Sequence, residues 1–429
     1  MAGFNESAVV QVIAVPAVCT LITFLGYFPQ ILFRNETLQP GPPSTSETYI
    51  FNTLLALLWY TYYKAVTTDP GRYVFDEKII EVEGRWCNKC DAPKPPRAHH
   101  CRHCKRCVPK MDHHCPWTKN CVSMTTFPHF YRFLCYANFA LWYLCYLVFQ
   151  RFYALWEERH MPAYLGPSIP VLASLAISGL VCFFTSLLLG IMLVTTTKNW
   201  VFNQTTIEGW EADRHEAIAE RGGKDWWDVT GPDGKKFRFE KVEFPYDIGF
   251  FENMSQAMGT SFFPMWLFPF AGNPKIGTSK SGKRTGWEWE ENGFNRTEGM
   301  WPPPDPEKIR RAARTWPAGR RDFDAELRAL DDDDEQFKEA FRKRQAADIE
   351  RRKNMMVAEL EEDDEYGMPS DVDENGDWVN EDGEKLVDFG VDVDDGMPGD
   401  DRVEGITTAH DEDVPLAELI RRRKAAARP

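Results

Sequence analysis

Between Cys87 and Cys121 the chain places seven of its eleven cysteines, Cys87, Cys90, Cys101, Cys104, Cys107, Cys115 and Cys121, around the run Asp112-His113-His114-Cys115. Two tetrahedral zinc sites need eight ligands, and six cysteines with two histidines meet that number once one thiol, Cys115 or another, is set aside. A spare thiol beside histidine is a candidate nucleophile, because imidazole takes the thiol proton and the thiolate is the reactive form. In an extended segment alternate side chains share a side, so His113 can face Cys115 while His114 turns away toward metal. That makes His113 the base. Spacing alone leaves open how Cys101, Cys104 and Cys107 are shared between two ions.

The order Cys87-x2-Cys90, Lys94-Pro95-Pro96-Arg97, His100-Cys101-x2-Cys104-x2-Cys107, Asp112-His113-His114-Cys115-Pro116-Trp117 and Asn120-Cys121 resembles the cysteine-rich domain of the DHHC protein S-acyltransferases. The resemblance continues in Asp69-Pro70-Gly71 before the domain, in Thr205-Thr206-Ile207-Glu208 after the last apolar block, and in Asn253 within Pro245 to Gly259. It covers roughly the first 260 residues. It implies that Cys87, Cys90, His100 and Cys107 hold one structural zinc and Cys101, Cys104, His114 and Cys121 the other. It implies that Asp112 bonds His113 and that Thr206 or Thr205 meets Asp112, with Asn253 bracing the same region. Two positions depart from the family pattern: Ser123 stands for the usual glycine and Thr126 for the usual asparagine. Ser123 raises the question whether the turn after Cys121 takes positive φ, which glycine tolerates better.

The reaction implied is ping-pong transfer. Cys115 takes palmitate from palmitoyl-CoA, releases CoA, and passes the chain to a cysteine of a membrane-associated protein. Arg85, Lys94 and Arg97 are candidate partners for the CoA phosphates. Trp117, two residues beyond the nucleophile, is a candidate contact for the thioester end of the acyl chain. Phe130, Phe133, Ala137 and Ala140 recur at helical steps, so one stripe with aromatics near the loop and small residues deeper can line an acyl pocket.

These residues need elements to hold them. Residues 9–33, 48–66, 130–150 and 169–194 are apolar blocks about as long as the ~20 residues that cross a hydrocarbon core. The expected fold is an α-helical integral membrane protein with four transmembrane helices, a cytosolic zinc-binding cysteine-rich domain over 85–130, a cytosolic region over 195–301, and an acidic, largely disordered tail over 302–429. The first block lacks a basic n-region and a small-residue cleavage site, so it reads as a retained span. Lys64, Arg72, Lys78, Arg85, Lys89, Lys94, Arg97, Arg102, Lys105, Arg106, Lys110 and Lys119 load the middle loop, which places it and both termini in the cytosol by the positive-inside bias. Reduced thiols and zinc are stable there.

The net charge of -15, concentrated in the last part of the chain, excludes nucleic acid as a partner of the whole protein. Acidic runs at 331–335, 361–365 and 392–395 repel one another and cannot support a core. Gly231-Pro232-Asp233-Gly234 reads as a tight turn between short strands. The run Phe262 to Phe270 is apolar but too short and proline-broken to span a bilayer, and can lie at its interface. Pro245 to Gly259 with the run Trp266-Leu267-Phe268-Pro269-Phe270 resembles the fungal endoplasmic-reticulum subgroup, which implies that membrane as the location. Two other function classes compete. A non-catalytic, membrane-tethered zinc module recruiting partners has no need of both Cys115 and His113, and a ring-type ubiquitin ligase requires a cross-brace spacing that is absent.

Overall fold

Among the described residues four long helices form the frame: α1 (Ala8–Leu32), α2 (Thr45–Thr67), α3 (Phe127–Glu157) and α4 (Ile169–Val201). In this computed structural model the described residues are 8–75, 85–87, 89–222, 226–230, 236–277, 285–303, 379–380 and 384–391. The turn expected at 231–234 and the acidic runs lie outside them. Among the described residues three helical stretches are long and apolar enough to cross a membrane: Val12–Leu32, Phe127–His160 and Ile169–Val201. The chain is a membrane protein with a cysteine-rich domain between its second and third long helices. Helix α2 is less apolar because Asn52, Thr53 and Lys64 dilute its leucines, and it packs along α3.

Local signals set the helix starts. Ser44 caps α2 reciprocally: its hydroxyl accepts from the Glu47 amide and the Glu47 carboxylate accepts from the Ser44 amide at 2.8 Å. Prolines stand in the first turns of α3 and α4, where the missing N–H costs nothing. Both helices run beyond their apolar blocks, α4 carrying Thr195 to Lys198 on to Val201, because helical hydrogen bonding does not stop where hydropathy falls.

The loop between α2 and α3 folds as three small hairpins. Strands β1 (Trp86–Cys87) and β2 (Ala92–Pro93), β3 (His99–Cys101) and β4 (Arg106–Val108), and β5 (His113–Cys115) and β6 (Asn120–Val122) pair antiparallel. The registers Cys87↔Ala92, Cys101↔Arg106 and Cys115↔Asn120 repeat every 14 residues. Each hairpin reaches its return strand through a residue of positive φ, Asp91 at 49°, Lys105 at 52° and Lys119 at 49°. Sheets this small have almost no apolar core, so something other than burial must close them.

Beyond α4 come α5 (Thr206–Gly222), the hairpin β7 (Trp226–Thr230) with β8 (Lys236–Glu240), α6 (Phe250–Met258) and α7 (Pro264–Leu267); β7 packs on α5, and α6 and α7 pack on α3. Arg132 of α3 donates to the carbonyls of Met265, Trp266, Ala271 and Gly272, which fixes the apolar segment beside α3 while Phe262, Phe263, Phe268 and Phe270 stay exposed. Within the region read as an acidic, largely disordered tail, the described turn at Leu386–Phe389 and Val391 packs against the cysteine-rich domain, with Phe389 and Val391 buried.

Candidate active site

Strand alternation delivers the two histidines of β5 to different places. His114 turns to Cys101, Cys104 and Cys121, whose sulfurs lie 3.6, 3.7 and 3.5 Å from its Nδ1. In the neighbouring cluster His100 Nδ1 stands 3.4 and 3.1 Å from the sulfurs of Cys87 and Cys90, with Cys107 completing the group. Within each four-residue cluster all candidate ligand atoms lie within 4.8 Å of one another. A tetrahedral ion with Zn–S near 2.3 Å and Zn–N near 2.0 Å separates its ligand atoms by about 3.6 Å, so three thiols and one imidazole at these spacings fit a closed structural metal site. Cys115 belongs to neither cluster.

The two clusters obey one rule. Moving Cys87, Cys90, His100 and Cys107 forward by 14 residues yields Cys101, Cys104, His114 and Cys121. Each cluster thus takes the Cys-x2-Cys of one hairpin and a His and a Cys from the next. Cys115 holds the position in the third hairpin that Cys87 and Cys101 hold in the first two, with Thr118 where the second cysteine would stand. The next ligand positions fall at Pro128 and Cys135 inside α3, where no hairpin exists to present them. This repeat was open to sequence reasoning, and a search for internal spacing would have found it.

His113 and Cys115 share the other side of β5. Asp112 Oδ2 lies 2.8 Å from His113 Nδ1, while Asp112 Oδ1 accepts from both the amide and the hydroxyl of Thr206, at 2.5 and 2.7 Å. The contact on Asp112 is therefore made by Thr206. Thr205 serves the helix start instead, since its hydroxyl accepts from the Glu208 amide and its amide donates to Glu208 Oε2, a capping box that begins α5.

The electrostatics follow from these bonds. Burial works against a charged His113, but the hydrogen bonds and charges of Asp112 and Cys115 outweigh it and raise the imidazole to about 10. Burial likewise pushes the Cys115 thiol up, yet the His113 bond and charge, with help from Thr118, hold it below its ordinary value. Asp112 stays below the usual carboxylate range despite burial, because His113 and Thr206 bond its ionised form. The arrangement favours a thiolate paired with an imidazolium.

A family model described as DHHC palmitoyltransferase matches residues 80–213. The chain is 58% identical over 436 residues to palmitoyltransferase PFA4 of Gibberella zeae, covering 99% of this chain and 98% of that relative. It is 48% identical over 467 residues to palmitoyltransferase pfa4 of Neurospora crassa, covering 96% of each, and 37% identical over 441 residues to that of Aspergillus fumigatus, covering 96% and 97%.

The chain belongs to the DHHC palmitoyltransferase family.

Its activity is protein S-palmitoyl transfer, and the reading as a non-catalytic zinc module is not favoured. Within this family's pattern the two departures have structural answers. Ser123 does not adopt positive φ; its hydroxyl donates to the Pro70 carbonyl at 2.8 Å, and Thr126 donates to the Cys121 carbonyl at 2.6 Å. Thr125 reaches the Asp69 carbonyl and Asn120 donates to the Ala65 and Thr68 carbonyls, so Asp69-Pro70-Gly71 and the end of α2 are tied to the third hairpin.

The basic residues expected to meet CoA phosphates are corrected in part. Arg97 is 3% exposed: its guanidinium grips the Glu208 carboxylate with two bonds, 2.6 and 2.7 Å, between the rings of Tyr246 and Trp289. Its other donors turn to the carbonyl and side-chain oxygens of Asn203, so the buried group is committed within the protein and not turned to an incoming phosphate. Lys94 is buried as well, and of the three only Arg85 is half-exposed. Trp117 is exposed and its carbonyl accepts from the Tyr62 hydroxyl. Phe130 stands edge-on to the His113 ring at 5.9 Å, and Phe133, Ala137 and Ala140 continue from it in one buried cluster with Cys115, Ile22 of α1 and Leu55, Leu58 and Tyr62 of α2. Asn253 donates to the Val201 carbonyl and to Asp247, tying α6 to the end of α4, from which the chain runs into Thr205 and Thr206.

Proposed function

We propose that Cys115 is the nucleophile of a two-step transfer from palmitoyl-CoA to cysteine thiols of membrane-associated proteins, with His113 as base and Asp112 orienting it. The observation that carries this reading is the Asp112–His113–Cys115 relay standing outside both four-ligand clusters. With Nδ1–H directed at Asp112, Nε2 is the nitrogen that accepts the thiol proton. Cys115 Sγ forms a bond to the thioester carbonyl carbon, the CoA thiolate leaves, and the proton on His113 goes to it. In the second step a client thiol gives its proton to His113 and attacks the acyl-enzyme. The Cys115 thiolate leaves and recovers the proton. One thioester replaces another at each step, so no further cofactor is required.

Zinc in the two clusters, held by Cys87, Cys90, His100, Cys107 and by Cys101, Cys104, His114, Cys121, supplies the folding free energy that the small hairpins lack. Phe130, Phe133, Ala137 and Ala140 line the path of the acyl chain, Trp117 meets its thioester end, and Arg85 faces the CoA phosphates. Counting α2, four spans divide the chain, with both termini, the domain over 85–130 and the region over 195–301 in the cytosol and the exposed phenylalanines of 262–270 at the membrane interface. The endoplasmic reticulum is the proposed membrane, on the resemblance to the fungal subgroup.

The test is direct. Purified protein in detergent, given labelled palmitoyl-CoA, should acquire a hydroxylamine-sensitive label that Cys115→Ser removes. Label of equal size on Cys115→Ser would show that another thiol is the nucleophile.

A further inference from the structure

One stretch of chain covers the second cysteine cluster without supplying a ligand to it. Residues Glu384–Val391, far from the domain in sequence, form a self-contained turn: the Asp388 carboxylate accepts from the Lys385 amide at 2.9 Å, and Gly390 closes the turn at φ 82°. Leu386, Phe389 and Val391 pack on the domain. Phe389 and Val391 bury with Cys101, Val108, Met111, Cys121, Ile207 and Trp210.

Backbone bonds set the register of this docking. Val391 bridges Cys101 antiparallel, the Arg102 amide donates to the Gly390 carbonyl at 3.2 Å, and the Trp210 indole donates to the Glu384 carbonyl at 3.0 Å. The result bears on one ligand in particular. Gly390 lies so close to His114 that a Cβ added there would stand 2.8 Å from the His114 Cβ, and the ring of His103 lies 4.5 Å from that of His114, tilted by 30°. The positive φ and the close approach both require glycine. His114 is next to His113 on β5, so what holds one imidazole also holds the strand that presents the other.

We propose that Glu384–Val391 is a clasp that positions His114 and keeps the second metal cluster closed, which makes part of the acidic tail a component of the acylating unit. This rests on the reading of the clusters as metal sites. The first cluster is covered differently, by Tyr73, Phe75 and Trp287, so loosening the clasp should be felt at one site and not the other.

The experiment uses the full-length protein in detergent and follows metal release to a chromogenic chelator beside metal content. Wild type should carry two metals, both released slowly. In Phe389→Asp one equivalent per chain should leave at least about tenfold faster, the change expected on losing a buried aromatic contact, with self-acylation falling as it leaves. The second equivalent should keep its rate. Phe389→Leu should restore slow release, and Gly390→Val, which meets His114 instead of removing an apolar contact, should reproduce the fast phase. Wild-type rates in both Phe389→Asp and Gly390→Val would overturn the clasp, as would equal acceleration of both equivalents. A wild-type chain lacking two metals would overturn the metal reading itself and the clasp with it.

Discussion

The first two hairpins of the cysteine-rich domain and the third share a spacing, a register and a positive-φ residue at the same place, yet they do opposite things with a cysteine. Cys87 and Cys101 each have a second cysteine three residues on and join a four-ligand cluster. Cys115 has Thr118 there, and α3 begins before the remaining ligand positions can be presented. A thiolate in a closed metal site gives its charge to the ion and is walled in by the other ligands, whereas the same thiol without a metal can act as a nucleophile once a base is at hand. The lesson is that this centre resembles a metal hairpin interrupted after its first ligand. In the proposed mechanism His113, on the same side of β5, takes the role of the missing cation as an imidazolium.

The largest effect should come from removing that distinction at its centre. Cys115→Ser should reduce self-acylation and transfer to background while metal analysis still returns two ions per chain, because the change deletes a nucleophile and no ligand. Loss of a metal in that variant would place Cys115 among the ligands. Next come the neighbouring histidines. His114→Ala should cost the chain one metal and the folded state of the loop, as zinc content and protease resistance would report. His113→Ala should keep both metals and slow acylation by about 10²–10⁴-fold, the usual range for a general base. Equal metal content in the two variants would break the separation between ligand and base.

A smaller effect belongs to Thr206. Thr206→Ala removes one of two bonds to Asp112 Oδ1 and leaves the amide, so acylation should fall by roughly tenfold, the equivalent of about 1.5 kcal/mol for a bond to a charged group. Thr205→Ala, which touches the α5 cap instead, should lower thermal stability by about 1 kcal/mol with the rate per folded molecule unchanged. Last, Ala140→Tyr should leave turnover with short acyl-CoAs intact and shift preference away from palmitoyl-CoA. An unchanged chain-length profile in a folded, active Ala140→Tyr protein would assign the α3 stripe to helix packing alone.

Much of this was legible in the residues themselves. A ligand count leaves one thiol over, strand alternation parts His113 from His114, and apolar blocks of bilayer length announce the helices. All three are properties of short stretches, governed by coordination number, a period of two, and length. What tertiary structure decided involves partners far apart in the chain. It chose Thr206 over Thr205 for Asp112, turned Arg97 inward to Glu208, sent Asn253 to Val201, and brought Phe389 and Gly390 onto the second cluster. None of these leaves a local trace, because a buried hydrogen bond or apolar contact depends on where the backbone passes and not on the spacing of its neighbours. An arginine in a basic loop reads as a free charge until the chain beyond α4 brings a carboxylate to it, and an acidic tail reads as solvated throughout until one short apolar turn within it finds a groove.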